Sequence, residues 1–154
     1  MKPKIIWMRF FLIGAISFIG FILSSCSSDT EYVLRCDFKF LNGTTHIIRC
    51  SRIISVNTDT VLLFQIEPNS TYLLQLEGES GKEPAANDAG AGLLSDFNGG
   101  TVLVEFDDLK YVLYEDNEGS NSINNYQVQT LSERYFQYTY TFTQDMFDQA
   151  VPSK

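Results

Sequence analysis

Tyr135-Phe136-Gln137-Tyr138-Thr139-Tyr140-Thr141-Phe142 alternates in polarity along its whole length. Successive side chains of an extended chain point to opposite faces. Phe136, Tyr138, Tyr140 and Phe142 therefore share one face, and Gln137, Thr139, Thr141 and Thr143 share the other. A period of two is a strand signal, and a 3.6-residue helix would scatter these aromatics around its surface. The aromatic row is a sugar-stacking platform or a core face, and core is the expectation.

The same texture runs through the rest of the chain. Tyr32 to Leu41 and Thr45 to Val56 flank Asn42-Gly43, two residues that tolerate positive φ and so signal a hairpin. Val61 to Ile66 and Thr71 to Leu76 flank Pro68-Asn69. Thr101 to Phe106 and Leu109 to Tyr114 flank Asp107-Asp108, and Ile123 to Thr130 precedes the strand at 134–142. About eight short strands with a turn signal roughly every ten residues predict an all-β antiparallel sandwich or barrel. Thr143 is placed to cap a short helix from Gln144 to about Ala150, with Asp145 in the first turn and Pro152 ending it. Met146, Phe147 and Ala150 would pack that helix on the sheet edge. Residues 78–100 hold six glycines, four alanines and Pro84, with no readable strand, and predict a long flexible loop.

The 154 residues are 44% hydrophobic and 14% aromatic, enough for one domain with a real core. The formal charge of −8 is uneven. Lys2, Lys4 and Arg9 sit before residue 26 with no acid; the remainder holds 8 basic and 19 acidic residues, a net −11. That balance argues against a nucleic-acid partner, which needs clustered Lys and Arg. Phe10 to Leu23 is apolar, but fourteen residues of helix rise only about 21 Å, short of the roughly 30 Å hydrocarbon core. Charged start, short apolar run and small residues make residues 1–25 a secretory signal; the alternative is a membrane anchor that recruits Ile5 to Met8.

Leu23-Ser24-Ser25-Cys26 closes that run and resembles a bacterial lipobox. The resemblance implies cleavage after Ser25, a diacylglyceryl thioether and a further acyl chain on Cys26, and several chains hold a protein stably at a bilayer. Residues 26–31 then form a polar tether. Asp29 and Glu31 partly match the Ser/Asp-rich start of Bacteroidota-type lipoproteins, in which acids after the cysteine favour surface export. The implied location is a lipid anchor in the cell envelope at the outer membrane, with either face of that membrane open.

Cys36 and Cys50 remain, an even pair in an exported chain. A three-residue loop Asn42-Gly43-Thr44 would set Phe40 opposite His46, Phe38 opposite Ile48 and Cys36 opposite Cys50. In that register the apolar residues share one face with both cysteines. It predicts a Cys36–Cys50 disulfide worth roughly 3 kcal/mol on loop-entropy grounds; two reduced, buried thiols are the alternative.

Signals for chemistry are sparse. His46 is the only histidine, with no neighbouring motif that supplies a nucleophile, and reads as a structural imidazole packed beside Phe40. One His and a cysteine pair do not build a closed zinc site. Asp116 and Glu118 sit in an oxygen-rich turn that is a weak calcium candidate, lacking EF-hand spacing. No cofactor motif is present. Asp59-Thr60-Val61 resembles the short motif at which Bacteroidota-type bacteria attach O-glycans, which would place a sugar on Thr60.

With its lipobox, its Phe106-Asp107-Asp108-Leu109-Lys110-Tyr111 hairpin and its ending Tyr138-Thr139-Tyr140-Thr141-Phe142-Thr143 before a helix, the chain resembles small Bacteroidota-type lipoproteins. The resemblance implies one immunoglobulin-like β-sandwich of about 7–8 strands over residues 32–154, against the alternative of a lipocalin-like barrel. Small size, β architecture and missing catalytic groups favour a non-catalytic envelope module that binds a protein or glycan partner. The alternative is a carboxylate-dependent glycan hydrolase that uses Glu105 or Asp108.

Overall fold

The computed structural model describes residues 32–54, 59–80, 86, 90, 91, 94, 100–115 and 117–154. The strands are β1 (Tyr32–Asn42), β2 (Ile48–Ile53), β3 (Thr60–Ile66), β4 (Thr71–Ser80), β5 (Thr101–Phe106), β6 (Lys110–Tyr114), β7 (Gln127–Ser132) and β8 (Tyr135–Phe142). A six-residue helix α1 (Gln144–Gln149) and a two-residue β9 (Val151–Pro152) end the chain. Two sheets result, ordered β4-β1-β8-β7 and β3-β2-β5-β6-β9. The protein is an all-β sandwich, and its sheets do not close into the barrel held as the alternative. All paired strands are antiparallel except β1 and β8, which run parallel. The leader, Cys26 and the tether lie outside the described residues.

The alternation read from 135–142 positions the core. Phe136, Tyr138, Tyr140 and Phe142 are all buried, and β1 sets Cys36, Phe38, Phe40 and Asn42 beside them in register. The Phe38 and Tyr138 rings stack at 5.0 Å, and Phe40 meets Phe64 of the other sheet at 4.5 Å. The aromatic row is therefore core.

The first hairpin expected from sequence does not form. β1 and β2 belong to different sheets, and Asn42-Gly43 is the corner at which the chain crosses between them. Neither residue has positive φ, as a two-residue hairpin turn would require. Asn42 is instead 2% exposed and spends its side chain on the crossing. Its Nδ2 donates to the carbonyls of His46 (2.7 Å), Ile66 (3.2 Å) and Glu67 (3.1 Å). Its Oδ1 accepts from Thr44 N and Thr44 Oγ1. Pro68-Asn69 is a second crossing, from β3 to β4, and Asn42 N donates to Ser70 O within it. The Asp107-Asp108 hairpin does form: Asp107 and Asp108 adopt φ +50° and +59°, and β5 pairs antiparallel with β6.

The predicted disulfide falls with the first hairpin. Cys36 pairs across to Leu76 and Phe136, Cys50 to Phe64 and Val104, and both thiols are free and buried. Burial pushes the Cys36 thiol up to about 11, and raises Cys50 well above its ordinary value. The two cysteines behave as small apolar core residues.

Residues 78–100 also differ from a plain loop. Gly78 to Ser80 belong to β4, and Ala86, Gly90, Ala91 and Leu94 are helical. Ala86, Gly90 and Leu94 repeat every four residues, the spacing of one helical face. Leu94 joins the core, Tyr138 OH donates to Ala86 O, and Gly90 lies against the Tyr138 ring. A Cβ at Gly90 would come within 2.5 Å of that ring, so only glycine fits. At the chain end, Thr143 makes no side-chain cap to α1, and Pro152 lies in β9 beside Lys110.

The free thiols are directly testable. A chain starting at Ser27, which holds only Cys36 and Cys50, should yield two titratable thiols after denaturation without reductant, and almost none while folded. One or no thiol in the denatured, unreduced protein would contradict the structure.

Candidate functional site

β7 begins at Gln127, opposite Thr139, so β8 continues past that point without β7 as its neighbour. A recess of about 390 Å³ opens at this corner, within the roughly 300–1,000 Å³ range of small-molecule sites. β8 supplies Thr139, Tyr140 and Thr141; β7 supplies Gln127; β6 supplies Tyr114; α1 supplies Met146. Gly119 and Asn125 come from the two 3-10 turns, Gly119–Asn121 and Ile123–Asn125, that carry the chain from β6 to β7.

The turns are held by their own polar groups. Asn121 Nδ2 donates to Gly100 O, Asn125 Nδ2 to Gly119 O at 2.9 Å, and the buried Tyr126 OH to Ser120 O at 2.7 Å. Gly119 has φ +47° and lies against the Tyr114 ring, where a Cβ would clash at 2.3 Å. Tyr126 drives its ring between Phe38, Phe40 and Tyr140, which fixes the strap to the core.

The wall of the recess is electrically neutral. Burial raises the Tyr114 and Tyr140 phenols above their ordinary values, and the two are hydrogen-bonded to each other. Tyr140 OH also contacts Met146 Sδ at 3.9 Å. The remaining lining consists of amides and hydroxyls. Among the described residues, no carboxylate, Lys, Arg or His lines it.

α1 is positioned by a latch on the far side. His46 stacks on Phe147 at 3.8 Å and 17°, and its Nδ1 lies 2.7 Å from Asp107 Oδ2. Asp107 Oδ1 accepts from Ile47 N at 2.7 Å. Lys110 Nζ donates to Phe147 O and Asp148 O at the end of α1. The ring partner of His46 is thus Phe147 rather than the expected Phe40, and its polar partner is Asp107. The His46 and Ile47 hydrogen bonds hold the Asp107 carboxyl below the usual carboxylate range.

The described residues put forward from sequence for modification, metal binding or hydrolysis are not among those lining the recess. Thr60 is exposed at the first position of β3, opposite Ile53. Glu118 Oε2 accepts from Glu115 N, closing its own turn, and Asp116 lies outside the described residues. No cluster of three metal-ligating side chains occurs among the described residues. Asp108 is paired with Arg49 at 2.5 Å, and Glu105 stands on the outer face of its sheet between Arg49 and Tyr111. Asn125, Gln127, Thr139 and Thr141 were not distinguishable in sequence from ordinary outward positions. Their signal is the early end of β7, which only pairing reveals. Among the described residues no helix is long and apolar enough to cross a membrane. No family model matches the chain, and no curated protein or solved structure is significantly similar to it.

The Asp107 latch has a definite pH signature. A carboxyl lowered in the folded state stabilises above its unfolded value near ~3.9, and that stability is lost as pH falls through the folded value. Asp107→Asn keeps a residue that tolerates positive φ but removes the charge. It should cost about 1 kcal/mol at neutral pH, since the carboxylate is one-third exposed, and the gap to wild type should close in urea melts below about pH 4. A gap that stays constant with pH would exclude the latch.

Proposed function

We propose that this chain is a lipid-anchored envelope lipoprotein whose domain binds a neutral, hydroxyl-rich ligand, a glycan, without catalysing its conversion. One observation carries the reading. In a chain of net charge −8, the described residues that wall the recess at the start of β7 bring phenols, amides, hydroxyls, a thioether and Gly119 to it. Sugar hydroxyls are both donors and acceptors, and amide and hydroxyl side chains match them in both roles. A charged ligand would find no counter-charge there, and a purely apolar one would strip water from Asn125, Gln127 and Thr141 without replacing its hydrogen bonds.

The lipid anchor rests on the lipobox and the leader that precedes it. Anchored through Cys26, the domain meets envelope or dietary glycans at a surface, where several weak contacts add up. Its acidity disfavours nucleic acid and anionic lipid as partners.

Two measurements test this. Neutral oligosaccharides built on glucose, mannose or N-acetylglucosamine should shift the amide NMR signals of Asn125, Gln127, Thr139 and Thr141 first. Thr141→Trp, at an exposed rim position, should abolish those shifts while leaving the melting temperature within a few degrees. No response to any of these sugars, or a response that survives Thr141→Trp, would refute the recess as the site. Separately, Cys26→Ser should eliminate palmitate incorporation and move the chain out of the membrane fraction; unchanged fractionation would refute the lipid anchor.

A further inference from the structure

The pairing of β8 fixes the direction of each of its peptide groups. Arg35 N donates to Arg134 O, and Gly43 N donates to Phe142 O. In a parallel ladder, alternate residues give both N–H and C=O to the same neighbour. The even-numbered residues from 134 to 142 therefore face β1, and Gln137, Thr139 and Thr141 face the other side. There Gln137 and Thr139 meet Gln129 and Gln127 of β7. The same register would set Asn125 opposite Thr141, but the pairing stops at Gln127. Asn125 N has turned to Ser122 O inside the second 3-10 turn. Thr141, exposed in the recess, thus presents one N–H and one C=O that no described backbone group takes up.

We infer that this open rung makes the recess selective for 2-acetamido sugars of the N-acetylglucosamine type, an inference that rests on the glycan reading above. An extended residue offers its N–H and C=O to one side through the atoms H–N–Cα–C–O. A 2-acetamido sugar carries the same run, H–N–C2–C3–O3, and its neighbouring equatorial groups hold N and O on one side. The amide N–H of the sugar donates to Thr141 O, and its O3 accepts from Thr141 N. Two residues of a hydrogen-bonded antiparallel pair exchange the same two bonds. The acetyl methyl falls to Tyr114, Tyr140 and Met146, the apolar part of the lining. A sugar with a hydroxyl at C2 must freeze a rotor to supply the same donor, and it brings no methyl. One rung in a recess of about 390 Å³ suits a short glycan. A peptide that added a strand would need a run of open rungs, and β8 ends at Phe142.

The buried apolar residues described run from Leu34 to Ala150, and residues 31–154 form a compact unit, so the domain from Ser27 on carries its own core. Chitobiose and cellobiose differ only in acetamido against hydroxyl at C2, and both can be titrated into that domain by NMR. Chitobiose should bind roughly tenfold more tightly, through one fixed donor and one buried methyl. It alone should shift the Thr141 amide proton downfield and slow its exchange with solvent. Thr141→Pro removes that N–H where it serves no ladder, and should bring the two affinities level. Thr141→Val keeps the N–H and should keep the preference. Equal affinities in the unaltered domain, a Thr141 amide that chitobiose leaves unmoved, or a preference that survives Thr141→Pro would overturn this inference while the glycan reading stands. Tighter binding of a neutral, end-blocked pentapeptide would give the open edge to a peptide strand and overturn it too. No binding of either sugar would overturn both readings.

Discussion

The side chain of Asn42 joins the two halves of this sandwich. It is buried, and every polar atom it carries is used: three carbonyls accept from Nδ2, and Oδ1 accepts from the backbone and hydroxyl of Thr44. Those carbonyls belong to two separate crossings between the sheets, one after β1 and one after β3. Leaving a buried backbone carbonyl unpaired costs about 1–3 kcal/mol. One amide therefore satisfies groups that would otherwise make both crossings unfavourable. Asn42 also continues the inward row of Cys36, Phe38 and Phe40, so the same strand that fills the core ends in the group that closes it.

Several other features follow from that crossing. Because the chain leaves the first sheet at Asn42, β2 is free to pair with β3 and β5, and β1 keeps both its edges for β4 and β8. β1 thereby becomes a central strand with a parallel neighbour, which no hairpin could supply. The cysteines are carried into different sheets. His46, just past the corner, reaches Asp107 and Phe147 and holds α1, whose Met146 forms one wall of the recess. A corner that replaces a hairpin thus shapes a site at the other side of the sheet.

Much of the architecture was legible in the residues. The alternation of 135–142, the Asp107-Asp108 turn and the spacing of strands identified a two-sheet β fold, because burial on one face demands a period of two. The apparent hairpin at Asn42-Gly43 was misleading for a physical reason. Asn-Gly is favoured at positive φ, yet a buried Asn can use its amide in place of the turn's own backbone bonds. The Cys36–Cys50 register inherited that error, and polarity could not expose it, since both strands point the same residues inward in either arrangement. Gly90 looked like a loop glycine. Its reason is the Tyr138 ring, 48 positions away in the chain.

The recess shows the limit most clearly. Thr139 and Thr141 are ordinary outward residues of an alternating strand, but β7 begins only at Gln127 and leaves the edge of β8 uncovered beyond Thr139. Local patterning by itself determined the class of fold, the inward faces, the acidity of the domain and the lipobox resemblance at Cys26. These depend on periods, charges and short motifs that neighbours along the chain define. Strand order, the state of the thiols, the latch on α1 and the composition of the recess were decided only by tertiary structure. Each depends on which distant backbone groups pair, and that choice is made by the summed burial of the core and by the satisfaction of groups such as the Asn42 amide.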